Sequence, residues 1–269
     1  MPNLISLLFR RQQSLASSWL ILFFLTLGLV GGWKSVQAST PETAPAELKN
    51  VLTQIDAAAS RGDLKGVLQS YSPNFTQGDG LTRQTMEQAL TGLWKRYPRI
   101  KYTTQLQSWQ SQGNNIIAET VTTITGLPSS SSNNLAMNST ITSRQRLDGG
   151  KIVHQDVLSE RTQLTSGTKP PQVDIQLPQQ VTVGQQYNFD AVVKEPIGDN
   201  YLLGSALEES IQPNKYLTPT PVDLELLTSG GLFKVGRAPN TPGSQWLSAV
   251  ILRGDGMTMV TQRLQVVNK

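Results

Sequence analysis

The chain contains one histidine, His154, with Ile152 and Asp156 at alternate positions of a run rich in Ile, Val and Thr. On a β-strand the three would share one face, because successive side chains point to opposite sides. A histidine next to a carboxylate is the pairing that a general base uses, and the same alternation also describes a packed or half-exposed strand residue. A single histidine excludes a multi-histidine metal centre, and Gly-x-Ser-x-Gly, the mark of a serine hydrolase, is missing. Neither a phosphate-binding loop nor Gly-x-Gly-x-x-Gly occurs, so no cofactor is expected. The second acid of interest is Asp79, set between Gly78 and Gly80, a context that also suits a plain turn. Asp-Gly pairs at 79–80, 148–149 and 255–256 lack the alternating oxygen ligands of a calcium loop. Trp94, Tyr97, Tyr102 and Trp109 fall close together and would line a pocket or fill a core. Asn74 and Asn138 match glycosylation acceptors, which carry meaning only in a glycosylating organism.

These residues need elements to position them. From Ala46 to Ser60, Leu48, Leu52, Ile55 and Ala59 recur at helical spacing and predict a helix with one buried stripe. Gly62 can end it, and Asp63 can cap a short second helix bearing Leu64, Val67, Leu68 and Tyr71, which Pro73 stops. Thr82 caps a third helix carrying Met86, Leu90, Leu93, Trp94 and Tyr97, ended by Pro98. From Arg99 the period changes to two. Strands are predicted over Arg99 to Trp109, Asn115 to Gly126, Leu135 to Leu147 and Lys151 to Thr162, with a polar loop from Pro128 to Asn134. Helices followed by a run of strands give an α+β domain. Residues 165–171, Thr-Ser-Gly-Thr-Lys-Pro-Pro, read as a linker. Beyond it, short apolar runs at Val173 to Leu177, Tyr187 to Val193, Val222 to Leu227, Trp246 to Leu252 and Met257 to Val267 predict an all-β sandwich, with a helical turn at Ala206 to Ser210.

The sequence Gly62-Asp63-Leu64-Lys65-Gly66-Val67-Leu68, then Tyr71-Ser72-Pro73-Asn74-Phe75, between the first helix and the strands, resembles the nuclear transport factor 2-like superfamily. That superfamily includes the ketosteroid isomerases and the SnoaL-like polyketide cyclases. The resemblance spans about residues 46 to 164 and implies a cone, a curved sheet wrapped around three helices with a pocket at its open end. It also implies that Asp79 occupies the position of the isomerase base, that Ile55 stands where the family places a tyrosine, and that its second acid falls near Ser143. The oxyanion donors such a base requires are therefore absent from the pattern.

The N-terminus is organised as an export signal: basic Arg10 and Arg11, an apolar run from Leu20 to Val30, and Val36-Gln37-Ala38 as the exit, with cleavage between Ala38 and Ser39. The alternative is an uncleaved membrane anchor, although the run is shorter than the roughly 20 residues a spanning helix needs. Arg10-Arg11 poorly matches a twin-arginine signal. The first 38 residues hold Arg10, Arg11 and Lys34, three of the 23 basic side chains, and none of the 19 acidic ones. The exported protein is then almost neutral, which argues against nucleic acid as a partner. With no cysteine anywhere, neither a lipoprotein anchor nor a disulfide can form.

The expected order is a signal peptide (1–38), a lead-in (39–45), a cone domain (46–164), a linker (165–171) and a β-sandwich (172–269). The expected function is a non-enzymatic exported protein whose cone binds a small apolar ligand or an envelope protein and whose sandwich makes protein contacts. Tyr71, Asp79, Trp94, Tyr97, Tyr102 and His154 are the expected pocket residues. A homodimer through the cone sheet is a further expectation, and no membrane span remains after cleavage. The periplasm is the expected compartment, with a thylakoid lumen or the medium as alternatives. Two other functions stay open: an isomerase or cyclase using Asp79 or His154 as base, and an envelope assembly factor with no ligand.

Overall fold

The computed structural model describes residues 38–128, 135–196, 198, 201–218 and 220–269, and Val36–Lys269 forms one compact unit. Of the segment expected to be an export signal (1–38) all but Ala38, and most of the polar loop before Leu135, lie outside the described residues. The fold is α+β and mostly sheet, and the described residues hold three α-helices, all before the sheet's longest strands. Helix α1 (Ala46–Ser60) buries Leu48, Val51, Leu52, Ala58 and Ala59, the stripe its spacing predicts. Gly62, at φ 67°, makes the left-handed turn that ends it, a conformation costly to a side chain. Asp63 then caps α2 (Leu64–Gln69) by accepting the Gly66 N–H at 2.9 Å. Thr82 caps α3 (Arg83–Arg96) through a reciprocal pair with Thr85.

Strand β1 (Tyr71–Gln77) takes Tyr71 and Pro73, expected to lie at the end of the second helix, which stops at Gln69. It pairs parallel to β5 (Lys151–Gly167) at Tyr71–Ile152, Thr76–His154 and Gln77–Gln155. Pro73 falls in the gap between these pairs, where its missing N–H costs no ladder bond. The strands β2 (Arg99–Gln112), β3 (Asn115–Leu127), β4 (Ala136–Asp148) and β5 form an antiparallel meander. β2 is an edge of the sheet, and α1 covers it: Asp56 accepts the Thr104 N–H at 2.6 Å and Ser60 accepts the Tyr102 N–H at 2.9 Å. Two helix side chains four apart thereby satisfy two outward donors two apart on the strand, where an open edge would invite pairing with another chain. Further along, Ser39 makes a two-bond bridge to Trp109.

The sheet does not stop at β5. β13 (Gly256–Val267) pairs antiparallel to the second half of β5, from Gly256–Gly167 to Gln262–Arg161, and the order continues through β12 (Gly243–Arg253), β9 (Leu203–Ser210) and β10 (Glu225–Leu226). Thr165 to Gly167, expected to open a linker, therefore ends β5. Thr and Ser suit an extended ladder as well as a linker, and composition alone cannot separate the two. A short β7 (Gln180–Thr182) joins β13 in parallel. A second sheet, β11 (Gly231–Arg237), β8 (Gln186–Val193) and β6 (Val173–Gln176), forms the opposite layer. Tyr187, Phe189 and Ala191 of β8 pack with Leu247, Ala249 and Ile251 of β12 and with Leu264 of β13. The helical turn expected at Ala206 to Ser210 is corrected: those residues lie in β9, where Leu207 and Ala206 oppose Ser248 and Ala249, and the helical turn lies at Pro213–Tyr216. Of Val222 to Leu227, only Glu225 and Leu226 are strand.

Candidate functional site

Between the helices and the curved part of the sheet lies a cavity of about 140 Å³. Its apolar wall comes from Leu52, Ile55, Met86, Leu90, Ile124 and Ile141, and its polar side from Asp56, Thr104, Ser143, Gln145 and Gln155, with Tyr71 and Tyr102 between. The volume compares with an engineered cavity of about 150 Å³ that binds benzene, and falls below the roughly 300 Å³ at which drug-sized pockets begin. It suits a single ring or a short chain.

The polar groups are arranged by strand register. Ser143 opposes Val157 and Gln145 opposes Gln155, so one face of β4 and β5 carries Ser143, Gln145 and Gln155 inward. Gln155 donates from Nε2 to Ser143 Oγ at 3.1 Å. The Oε1 of Gln145 is buried without a hydrogen-bond partner among the described residues, an arrangement that costs energy until something donates to it. Asp56 accepts the Thr104 hydroxyl as well as its N–H, each at 2.6 Å, and Thr104 Oγ1 lies 3.0 Å from Thr122 Oγ1. Burial pushes the Tyr102 phenol up to about 12 and raises Tyr71 further, with the charges of Tyr102 and Asp56 adding to the effect at Tyr71. Both phenols are therefore neutral near pH 7.

Of the expected pocket residues, Tyr71 and Tyr102 line this cavity. Trp94 stands behind Tyr102 and donates from Nε1 to its hydroxyl at 3.2 Å. Tyr97 fills a separate apolar cluster with Ile100, Ile124 and Met137, its ring pressed against Gly126. Trp109 donates to Thr40 O and Thr43 Oγ1, holding down the segment that follows Ala38 and Ser39.

His154 is also outside the cavity. The register of β5 against β4 slips between Leu147–Ile152 and Arg146–His154, so Val153 is an extra residue. That bulge turns His154 to the face opposite Ile152, against the expected alternation, and leaves Gln155 facing inward. His154 and Asp156 do share a face, and Nε2 lies 3.1 Å from Asp156 Oδ1 while Nδ1 lies 2.8 Å from Thr76 Oγ1. This Thr–His–Asp row sits on the surface, with the two ion-pair side chains 33% and 46% exposed.

Asp79 lies in a tight turn closed by the Gly80 N–H to Gln77 O at 2.8 Å, and its carboxylate points away from the cone cavity. Arg263 of β13 donates to Asp79 Oδ1 at 2.8 Å and to Oδ2 at 2.7 Å, and the Tyr216 hydroxyl donates to Oδ2 at 2.6 Å. Glu160 flanks the same guanidinium at 3.4 Å and accepts the Trp246 indole N–H at 2.9 Å. Tyr216 and Trp246 meet edge to face at 4.8 Å. Burial alone would raise the Asp79 carboxyl, but the Arg263 hydrogen bonds and charge, with the Tyr216 hydroxyl, outweigh it and hold the carboxyl below the usual range. A general base needs the reverse, a carboxylate with free lone pairs and a raised affinity for the proton. Arg263, Asp56 and Gln145 are among the residues that the sequence alone did not single out. Arg263 is the only charged residue in Gly256–Val267, and that isolation was the available signal: a lone charge on a strand packed on both faces needs an acid.

Among the described residues no group of three or more histidine or acidic side chains is placed to hold a metal ion. A comparison with curated proteins finds no match. Among solved structures, an uncharacterized cystatin-fold protein from Novosphingobium aromaticivorans is 12% identical over 42% of this chain and 98% of its own, with TM-score 0.33. A loop-truncation variant of IdmH is 14% identical over 40% and 89%, TM-score 0.32. A Bacillus cereus protein provisionally named a polyketide cyclase is 17% identical over 42% and 73%, TM-score 0.33. Residues 168–267 match a family described as Domain of unknown function (DUF8623).

Proposed function

We propose that this chain is a non-enzymatic exported binding protein of nuclear transport factor 2-like build, whose cone cavity holds a small, largely apolar ligand. The observation that carries this reading is the cavity itself: about 140 Å³, walled by aliphatic side chains and Tyr71 and Tyr102, with a few convergent polar groups. Of the two bases the isomerase alternative offers, Asp79 is already ion-paired with Arg263, and His154 is not among the residues lining the cavity. The export part of the reading rests on the basic, apolar and small-residue order of the first 38 residues. Ser39, directly after the proposed cut, is bridged to β2. The Ig-like sandwich segment would make protein contacts through β11, an edge strand on which Phe233 and Val235 are 61% and 68% exposed. The test is an NMR screen of monocyclic compounds against the purified protein. Shifts are expected at the amides of Leu52, Ile55 and Leu90, and they should disappear in Leu90→Trp, which fills the cavity. A library that moves none of these amides at millimolar concentration overturns the reading.

A further inference from the structure

The charge inside the cavity is one-sided. Asp56 is the only acid among the lining residues, and no lysine, arginine or histidine lines the cavity with it. None of the ion pairs among the described residues involves Asp56. Its two oxygens each accept a hydrogen bond from Thr104, which leaves lone pairs free on both and leaves the charge itself without a counter-ion. Asp56 is half-buried, and a partly desolvated carboxylate gains more from a cation nearby than one fully in solution does. Gln145 gives a second, independent signal. It is 6% exposed, it lines the same cavity, and its Oε1 accepts from nothing among the described residues. An orphaned acceptor is satisfied by a donor, and an ammonium carries three. The aromatic walls add a third: Tyr71 and Tyr102 stay neutral, and the faces of neutral rings attract a cation.

Resting on the cavity-binding reading above, we infer that the ligand is a small organic cation. It is a protonated primary amine on a compact apolar ring or chain, with Asp56 as counter-charge, Gln145 Oε1 as acceptor and the rings of Tyr71 and Tyr102 as walls. A carboxylate ligand of equal size is excluded, since it would meet Asp56 with no cation to offset the repulsion.

Three probes of almost one shape separate the terms: cyclohexylamine, cyclohexanol and cyclohexanecarboxylate, each titrated into the full protein near pH 7 and followed at the amides of Leu52, Ile55 and Leu90. The amine is expected to bind about tenfold or more tightly than the alcohol, with no binding by the carboxylate. Gln145→Leu is expected to weaken the amine about tenfold while the protein keeps its fold. Asp56→Asn, where it folds, should bring the amine and the alcohol to about equal affinity. An alcohol that binds as well as the amine, or a carboxylate that binds at all, overturns the cation inference and leaves cavity binding standing. Silence from all three probes overturns the inference, and silence from the wider screen as well removes the cavity reading beneath it.

Discussion

Asp79 and Arg263, 184 positions apart, form a two-point ion pair whose side chains are only 9% and 1% exposed. The pair fastens the turn after β1 to the strand β13, with Tyr216 and Glu160 closing around it. Breaking one partner of a buried pair strands the other charge, at a cost of about 3–5 kcal/mol. Asp79→Asn or Arg263→Met should therefore each lower the melting temperature by roughly 10 °C. The double variant should cost clearly less than the sum, measured by thermal denaturation as a double-mutant cycle. Strict additivity would mean that the pair does not couple.

The same pair gives an acid signature. Because the folded Asp79 carboxyl is held below its unfolded value, its stabilisation is complete above the unfolded value of about 3.9 and is lost as pH falls through the lower folded one. Between about pH 5 and pH 2 the native protein should lose more stability than Asp79→Asn does. Calorimetry over that range checks it, and parallel losses in the two proteins would contradict it.

Asp56 makes a prediction apart from ligands. Its bonds to Thr104 cover the outer donors of an edge strand, so Asp56→Ala should cost about 1–3 kcal/mol by leaving them unpaired. It should also promote self-association through the bared edge of β2, visible by light scattering at raised concentration. A variant that is fully stable and associates no more than the native protein does would show that α1 shields β2 by packing alone.

The Thr76, His154 and Asp156 row should be nearly silent. An exposed pair of this kind contributes about 1 kcal/mol or less, so His154→Ala should shift the melting temperature by only a few degrees. It should leave probe binding in the cavity unchanged, because Gln155 and not His154 faces that space. Loss of binding in this variant would place the site elsewhere.

Gly167, at φ +92°, tests the junction between β5 and β13. A Cβ there would come within 2.5 Å of both Asp255 O and Gly256 Cα, backbone atoms that cannot swing aside. Gly167→Ala should cost more than about 2 kcal/mol from the strained conformation and the clash together. Denaturant unfolding reads that loss directly.

What could be read from the sequence divides along physical lines. The three helices and their caps at Asp63 and Thr82 follow from local spacing and local hydrogen bonds, although α2 stops at Gln69 and Tyr71, expected on its face, begins β1. The meander β2 to β5 follows from alternation. β1 was hidden because Pro73 speaks against a strand and only the distant β5 supplies its partner. β9 was hidden for a similar reason, since Gly204 and the acids Glu208 and Glu209 obscure its alternation until β12 lies beside it. For the site, Tyr71 and Tyr102 were legible as inward aromatics. The turn of His154 away from the interior was not, because it depends on one extra residue, Val153, that can be counted only against β4.

The sharing of β5 between the β2–β5 meander and β13 has a consequence for assembly in time. Its second half waits for β13, whose residues are made roughly 90 positions later, an interval of about 5–20 s at ordinary synthesis rates. Until then β5 presents a long open flank to its surroundings. Were the chain exported unfolded through the proposed signal, the ladder would close only on the far side of the membrane, and that flank would never face the crowded interior of the cell.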